Sequence, residues 1–114
     1  MEEKNEKRTP LLQLFKEDNF DVLKCPECGV SSLHHYRVEY FDREQDDHFG
    51  LHVSIQNGKV TQDQDMTDNP STRRGGLSIF FWCESCNEMP VLRIAQHKGQ
   101  TEVKMTVSQE TSPK

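Results

Sequence analysis

The chain has 114 residues, 32% of them hydrophobic, and a formal net charge of −5. That length gives one domain with tails and room for only a small core, which in chains of this size usually calls for a staple. No apolar run approaches the ~18 residues of a membrane span, and an acidic chain gains little from the counterion release that drives non-specific nucleic-acid binding.

The acidity is uneven. Residues 25–70 hold three Lys/Arg against nine Asp/Glu, whereas residues 71–114 hold six against four. Residues 1–8 are polar apart from Met1 and are expected to fray. No apolar run follows their charges, so no secretory signal is read and the expected location is cytoplasmic, in a reducing compartment. Thr9 suits a helix N-cap and Pro10 the first helical position, and Leu11, Leu14 and Phe15 then share one face. This predicts a short N-terminal helix lying on a sheet, with a docking helix for a partner as the alternative.

Beyond residue 29 the pattern becomes that of strands. Tyr36, Val38 and Tyr40 alternate with Arg37, Glu39 and Phe41, and Leu51, Val53 and Ile55 alternate with His52, Ser54 and Gln56. Asn57-Gly58 follows, a pair suited to the positive φ angles of a two-residue hairpin turn, and residues 59–62 are expected to return. Leu77–Trp82 reads as a strand buried on both faces. Val91–Gln96 and Thr101–Val107 read as a strand pair joined through residues 97–100. Residues 63–76 are polar and rich in turn formers, and are expected to be a flexible loop. The organisation expected is a tail and short helix over 1–24, a β domain over 25–108 and a tail over 109–114.

The chemistry is concentrated in Cys25-Pro26-Glu27-Cys28-Gly29 and Cys83-Glu84-Ser85-Cys86-Asn87. Two cysteines separated by two residues can reach one ion from a tight turn whose backbone N–H groups point at the sulfurs. The residue after the second cysteine often needs positive φ, which Gly29 meets without steric cost and Asn87 next best. Four sulfurs make a closed tetrahedral site suited to one structural Zn2+. Iron takes the same four ligands. Two disulfides are disfavoured by a reducing compartment. A redox dithiol wants a helix after its first cysteine, where this chain has a turn and then a strand.

These units resemble the zinc-ribbon superfamily, in which two Cys-x-x-Cys knuckles sit on β-hairpins. Cys-Pro-x-Cys-Gly is a typical first knuckle, and Cys25, Cys28, Cys83 and Cys86 match the four ligands. The resemblance covers the knuckles and flanking strands. It implies a mainly β, zinc-ribbon-like antiparallel sheet with an inserted hairpin, because the 54 residues between Cys28 and Cys83 exceed a minimal ribbon. Asn87 departs from the glycine common at that place. A fold-level grouping carries zinc and architecture but little about activity.

Other residues are weaker candidates. His34 or His35 with His52 suggests a second metal site, against the plainer reading of surface or packing histidines. Glu39, Asp42, Glu44, Asp46 and Asp47 read as a solvated edge. Arg73 and Arg74, beside Gly75-Gly76, suit phosphate or carboxylate, or a local ion pair to Asp63, Asp65 or Asp68. Phe80, Phe81 and Trp82 read as core before they read as a base-stacking platform. There is no phosphate-binding Gly-rich loop, His-Glu-x-x-His or Gly-x-Ser-x-Gly.

The expectation is therefore a non-enzymatic zinc-binding module acting through a protein partner, as accessory or regulatory factor of a nucleic-acid machine. Arg73, Arg74, Lys98 and Lys104 are its candidate partner or phosphate contacts. The alternative is direct single-stranded nucleic-acid binding through those residues and Arg93. A small metal-dependent enzyme ranks last. The sequence leaves the oligomeric state open.

Overall fold

The computed structural model describes residues 14–17 and 20–108, with side chains from residue 22 onward. Two short strands, β1 (Leu14–Glu17) and β2 (Phe20–Leu23), form an antiparallel hairpin. Six more form one antiparallel sheet: β3 (Leu33–Asp42), β4 (Leu51–Gln56), β5 (Lys59–Asp63), β6 (Gly76–Cys83), β7 (Pro90–His97) and β8 (Gln100–Val107). Their spatial order is β5-β4-β3-β6-β7-β8.

The protein is thus mainly β, and the predicted N-terminal helix is corrected. Among the described residues there is no helix, and Leu14 and Phe15, two of its three face residues, lie in β1. Thr9, Pro10 and Leu11 lie outside the described residues. Three apolar residues make a weak helical face, and a helix of ten residues is marginal without packing. Residues 14–17 and 20–23 are instead separated by two residues, Asp18-Asn19, of the type that closes hairpins, and the register sets Glu17 opposite Phe20.

Tight turns fix the sheet register. Asn57 (φ 55°) and Gly58 (φ 76°) take the left-handed conformation between β4 and β5, as a two-residue hairpin turn matched to strand twist requires. Lys98 (φ 51°) and Gly99 (φ 78°) repeat it between β7 and β8. The register carries one irregularity, between His35 and Arg37, where β3 bulges against β6. An extra residue there shifts the side-chain alternation, so His34 and Arg37, three apart in sequence, face the same side.

The two faces differ sharply. One cross-strand row reads Thr61, Ser54, Glu39, Ser78, Arg93, Lys104, and its neighbour on the other face reads Val60, Ile55, Val38, Ile79, Leu92, Met105. The polar face nevertheless holds much of the core, with Phe41, Phe80 and Val91 buried on it together with Ser78. Part of its cover comes from the loop joining β5 to β6. A Cβ added to Gly76 would stand 2.7 Å from Asn69 Oδ1 and 2.7 Å from Pro70 Cγ, so the loop presses on the sheet where no side chain fits.

That loop is tied at several points. Ser71, 4% exposed, donates its hydroxyl to the Gln96 carbonyl at 2.9 Å and accepts the Arg74 N–H at 2.9 Å. Asn69 accepts the Ser71 N–H and donates its amide to the Arg74 carbonyl. From the end of β3, Arg43 reaches over to donate to the carbonyls of Ser71 and Arg74. Turn-forming residues here satisfy buried backbone groups that a polar loop would otherwise leave to water.

The β6 strand is less enclosed than its apolar run predicts. Phe80 is buried, while Phe81 and Trp82 are half-buried. Trp82 stacks on His34 with centroids 4.6 Å apart. Among the described residues no helix is long and apolar enough to cross a membrane.

Candidate metal centre

The four cysteines come from two turns that the sheet brings together. The first turn follows β2 and leads into β3, and the second joins β6 to β7. Leu33 pairs with Cys83 in the β3–β6 ladder, so the start of β3 sits beside the second turn. The contact is reinforced by the Glu84 N–H, which donates to the Ser32 carbonyl at 3.1 Å.

Each turn is built alike. The Gly29 N–H donates to the Cys25 carbonyl at 2.9 Å, and the Asn87 N–H donates to the Cys83 carbonyl at 2.8 Å. The Cys25 N–H reaches the Val30 carbonyl at 3.0 Å, and the Cys83 N–H reaches the Glu88 carbonyl at 2.9 Å. Gly29 and Asn87 both have positive φ, 78° and 63°. These turns curl the chain so that both sulfurs of a pair face inward, and the Glu27 N–H points at Cys25 Sγ at 3.4 Å.

All four sulfurs lie within 4.8 Å of one another. Cys25 Sγ is 3.8 Å from Cys86 Sγ, and Cys28 Sγ is 3.7 Å from Cys83 Sγ. None of the four is in a disulfide. Cys25 and Cys83 are buried, Cys86 is half-buried and Cys28 is exposed, so the cluster sits at the rim of the domain with one side toward solvent. An arrangement of four sulfur donors this close can hold one metal ion.

Without a cation the cluster is electrostatically awkward. Burial pushes the Cys25 thiol up, against backbone N–H groups that pull it down. Burial and hydrogen bonding from the neighbouring thiols push Cys86 up to about 12. Cys83 stands below its ordinary value: burial works against ionisation there, but the backbone N–H groups of Cys86 and Ser85 and the adjacent thiols outweigh it. The shifts run in opposite directions within one cluster, as expected where packed thiols compete for negative charge that a cation would offset.

The other sequence candidates fall elsewhere. Arg73 makes a two-pronged ion pair with Asp46, Nε to Oδ1 at 2.6 Å and Nη2 to Oδ2 at 2.9 Å. The hydrogen bond from Arg73 holds the Asp46 carboxyl below the usual range. The partner is thus in the 39–47 run, not Asp63, Asp65 or Asp68. Arg74 donates to Gln45 Oε1 at 2.7 Å. Arg73, Arg74 and Lys98 border one small cavity of about 40 Å³, whereas Lys104 sits on β8 opposite Arg93 and does not reach it.

Sequence reasoning missed Glu39. The acidic run 39–47 reads as a solvated edge, yet Glu39 is 9% exposed. Its carboxylate is met by His52 Nε2 at 2.5 Å, by the Ser54 hydroxyl at 2.7 Å and by Arg37 Nε at 3.0 Å. His52 Nδ1 lies 2.7 Å from Asp63 Oδ1, and its ring stacks on Phe41. The available signal was the alternation itself, which puts Glu39 on the same face as Phe41 and in line with Ser54 and His52. Of the other two histidines considered for a second metal, His34 pairs with Glu84 at 3.1 Å and His35 is exposed on β3.

Sheet and sulfur cluster together define a metal-binding β protein. Comparisons with protein-family models, with curated proteins and with solved structures found no match.

Proposed function

We propose that the protein is a non-enzymatic zinc-binding module, in which Cys25, Cys28, Cys83 and Cys86 hold one structural Zn2+ and the sheet docks another protein. The observation that carries the zinc reading is the sulfur spacing. A tetrahedral site with Zn–S bonds of ~2.3 Å has sulfur–sulfur edges of about 3.8 Å; Cys25–Cys86 and Cys28–Cys83 stand at 3.8 and 3.7 Å, and all four sulfurs lie within 4.8 Å of one another. Four thiolates close the coordination shell, which favours a structural over a catalytic ion, because a catalytic one keeps an open position. Knuckles of this form are what the zinc-ribbon resemblance implies. Iron in the same cage is distinguished by its visible absorption.

A protein partner is supported by the apolar face. Tyr40, Leu51, Ile55, Val60 and Val103 stand 39–59% exposed on that one side of the sheet, and a contiguous exposed apolar patch usually marks an interaction surface. A direct nucleic-acid role has less to draw on, since Arg73 is engaged by Asp46 and the chain is acidic. On this reading the protein works in the cytoplasm, where thiols stay reduced, as an accessory or regulatory factor of a nucleic-acid machine.

The test is affinity capture with the zinc-loaded full chain, before and after nuclease treatment. The reading expects a protein partner that survives nuclease and is lost on Ile55→Lys. Recovery only through bound nucleic acid, or capture unaffected by Ile55→Lys, contradicts it.

A further inference from the structure

A second cleft lies on the polar face, away from the sulfur cluster. It is about 590 Å³ in volume and runs between the β5–β6 loop and strands β3, β6 and β7. Its charged lining residues are Arg37, Glu39, Asp68 and Arg93. The two arginines share one ring. The Arg37 guanidinium lies 3.8 Å over Phe80, and that of Arg93 lies 6.0 Å from the same centroid.

Their charges are balanced differently. Arg37 is paired with Glu39 at 3.0 Å. Arg93 is held by two neutral hydroxyls, Nε to Thr106 Oγ1 at 3.3 Å and Nη1 to Ser78 Oγ at 3.2 Å, and has no carboxylate partner among the described residues. Those bonds fix the guanidinium plane and leave Nη2 without a partner among the described residues. A half-buried guanidinium loses part of its hydration, and a fixed planar fork with free N–H groups is the arrangement that binds an oxyanion. Ser78 is itself 1% exposed and lies in register with Arg93, so the anchoring hydroxyl is part of the sheet and not a chance surface contact.

We propose that this cleft binds the oxyanion of a ligand, a carboxylate or a phosphate ester, at the Arg93 guanidinium. The site is separate from the zinc cage and from the apolar face, so it stands whether or not that face docks a protein. Asp68, on the loop side, sets its selectivity: a second negative charge on the ligand meets repulsion there.

The test is a titration of the zinc-loaded full chain with phenyl phosphate and, separately, with benzoate, at constant ionic strength. The side-chain Nε–H resonances of the arginines are followed by NMR. The expected result is a saturable shift of the Arg93 signal with at least one probe, the tighter probe naming the source of the oxyanion. Followed on the backbone amide signals of Ser78 and Phe80, which both variants retain, saturable binding is lost in Arg93→Gln and tightens several-fold in Asp68→Asn. Far-UV spectra and zinc content check that both variants fold. If Arg93→Gln does not fold, the mapping in the unaltered protein and the Asp68→Asn shift decide by themselves. A linear, non-saturable response to both probes, or saturation confined to the Arg73 signal, overturns the proposal.

Discussion

Asn87 stands to Cys83 as Gly29 stands to Cys25: each has positive φ, and each returns its N–H to the carbonyl of the cysteine four residues earlier. The two knuckles are therefore one backbone solution written with two different residues. The left-handed conformation costs an ordinary L-residue ~1–2 kcal/mol, a cost that glycine escapes and asparagine partly escapes.

The first prediction follows from that equivalence. A Cβ at Gly29 would meet nothing within 4 Å, so Gly29→Ala isolates the backbone cost. It is expected to destabilise the protein by about 1 kcal/mol. Asn87→Gly is expected to be neutral or slightly stabilising, and Asn87→Val to cost more than Gly29→Ala because β-branching disfavours positive φ. Chemical denaturation of the zinc-loaded variants checks the order. Equal loss for Asn87→Gly and Asn87→Val would show that the side chain at 87, not its φ, is what counts.

Glu39→Ala is expected to be the most damaging single change on the polar face. It leaves Arg37 and His52 facing a site from which their shared carboxylate has gone. Removing one partner of a half-buried charged network costs about 2–3 kcal/mol. The denaturation midpoint measures it, and Asp42→Ala, an exposed neighbour on the same strand, serves as the control with little change. Similar losses in both variants would return Glu39 to the solvated edge.

The same network sets a pH dependence. Burial opposes a charged His52, but hydrogen bonds to Glu39 and Asp63 outweigh it, and its pKa stands above 6.5. A histidine whose folded pKa is raised contributes stability that is fully present below its unfolded value of about 6.5 and is lost as pH rises through the folded value. The unaltered protein is therefore expected to lose stability relative to His52→Gln as pH increases from 6 upward through that value. Denaturation midpoints of both proteins across this range test it. A constant difference between them would mean that folding leaves the His52 pKa unshifted, and a gap that changes in the opposite direction would mean that folding lowers it.

Gly76→Ala probes the loop. The added methyl would fall 2.7 Å from Asn69 Oδ1 and Pro70 Cγ, so either the loop lifts or β6 shifts. A cost of about 1–3 kcal/mol is expected from such overpacking. Proteolysis within residues 64–75 is expected to accelerate, and an unchanged cleavage rate would place the strain in the sheet instead.

Legibility from sequence followed how local the signal was. The knuckles were readable because cysteine spacing, Gly29 and Asn87 all lie within five residues. Asn57-Gly58 likewise announced its hairpin. The N-terminal helix failed because Leu11, Leu14 and Phe15 fit a helical face as easily as residues 14–17 fit a strand, and the hairpin partner at 20–23 decides between them. Glu39 was misread because its burial comes from His52 and Ser54 on β4 and from Arg37 on its own strand, next to the bulge at 35–37. The ties from Ser71 to Gln96 and from Arg43 to the β5–β6 loop are contacts between distant segments, and composition alone gives no sign of them.

The central claim is that four sulfur atoms share one zinc ion, and elemental analysis of the purified, reduced protein tests it most directly. One mole of zinc per mole of chain is expected, falling to background in Cys25→Ser/Cys83→Ser, with loss of the sheet's far-UV spectrum when chelator strips the metal. A folded, reduced protein that carries no metal, or that keeps its spectrum after complete removal, would contradict it.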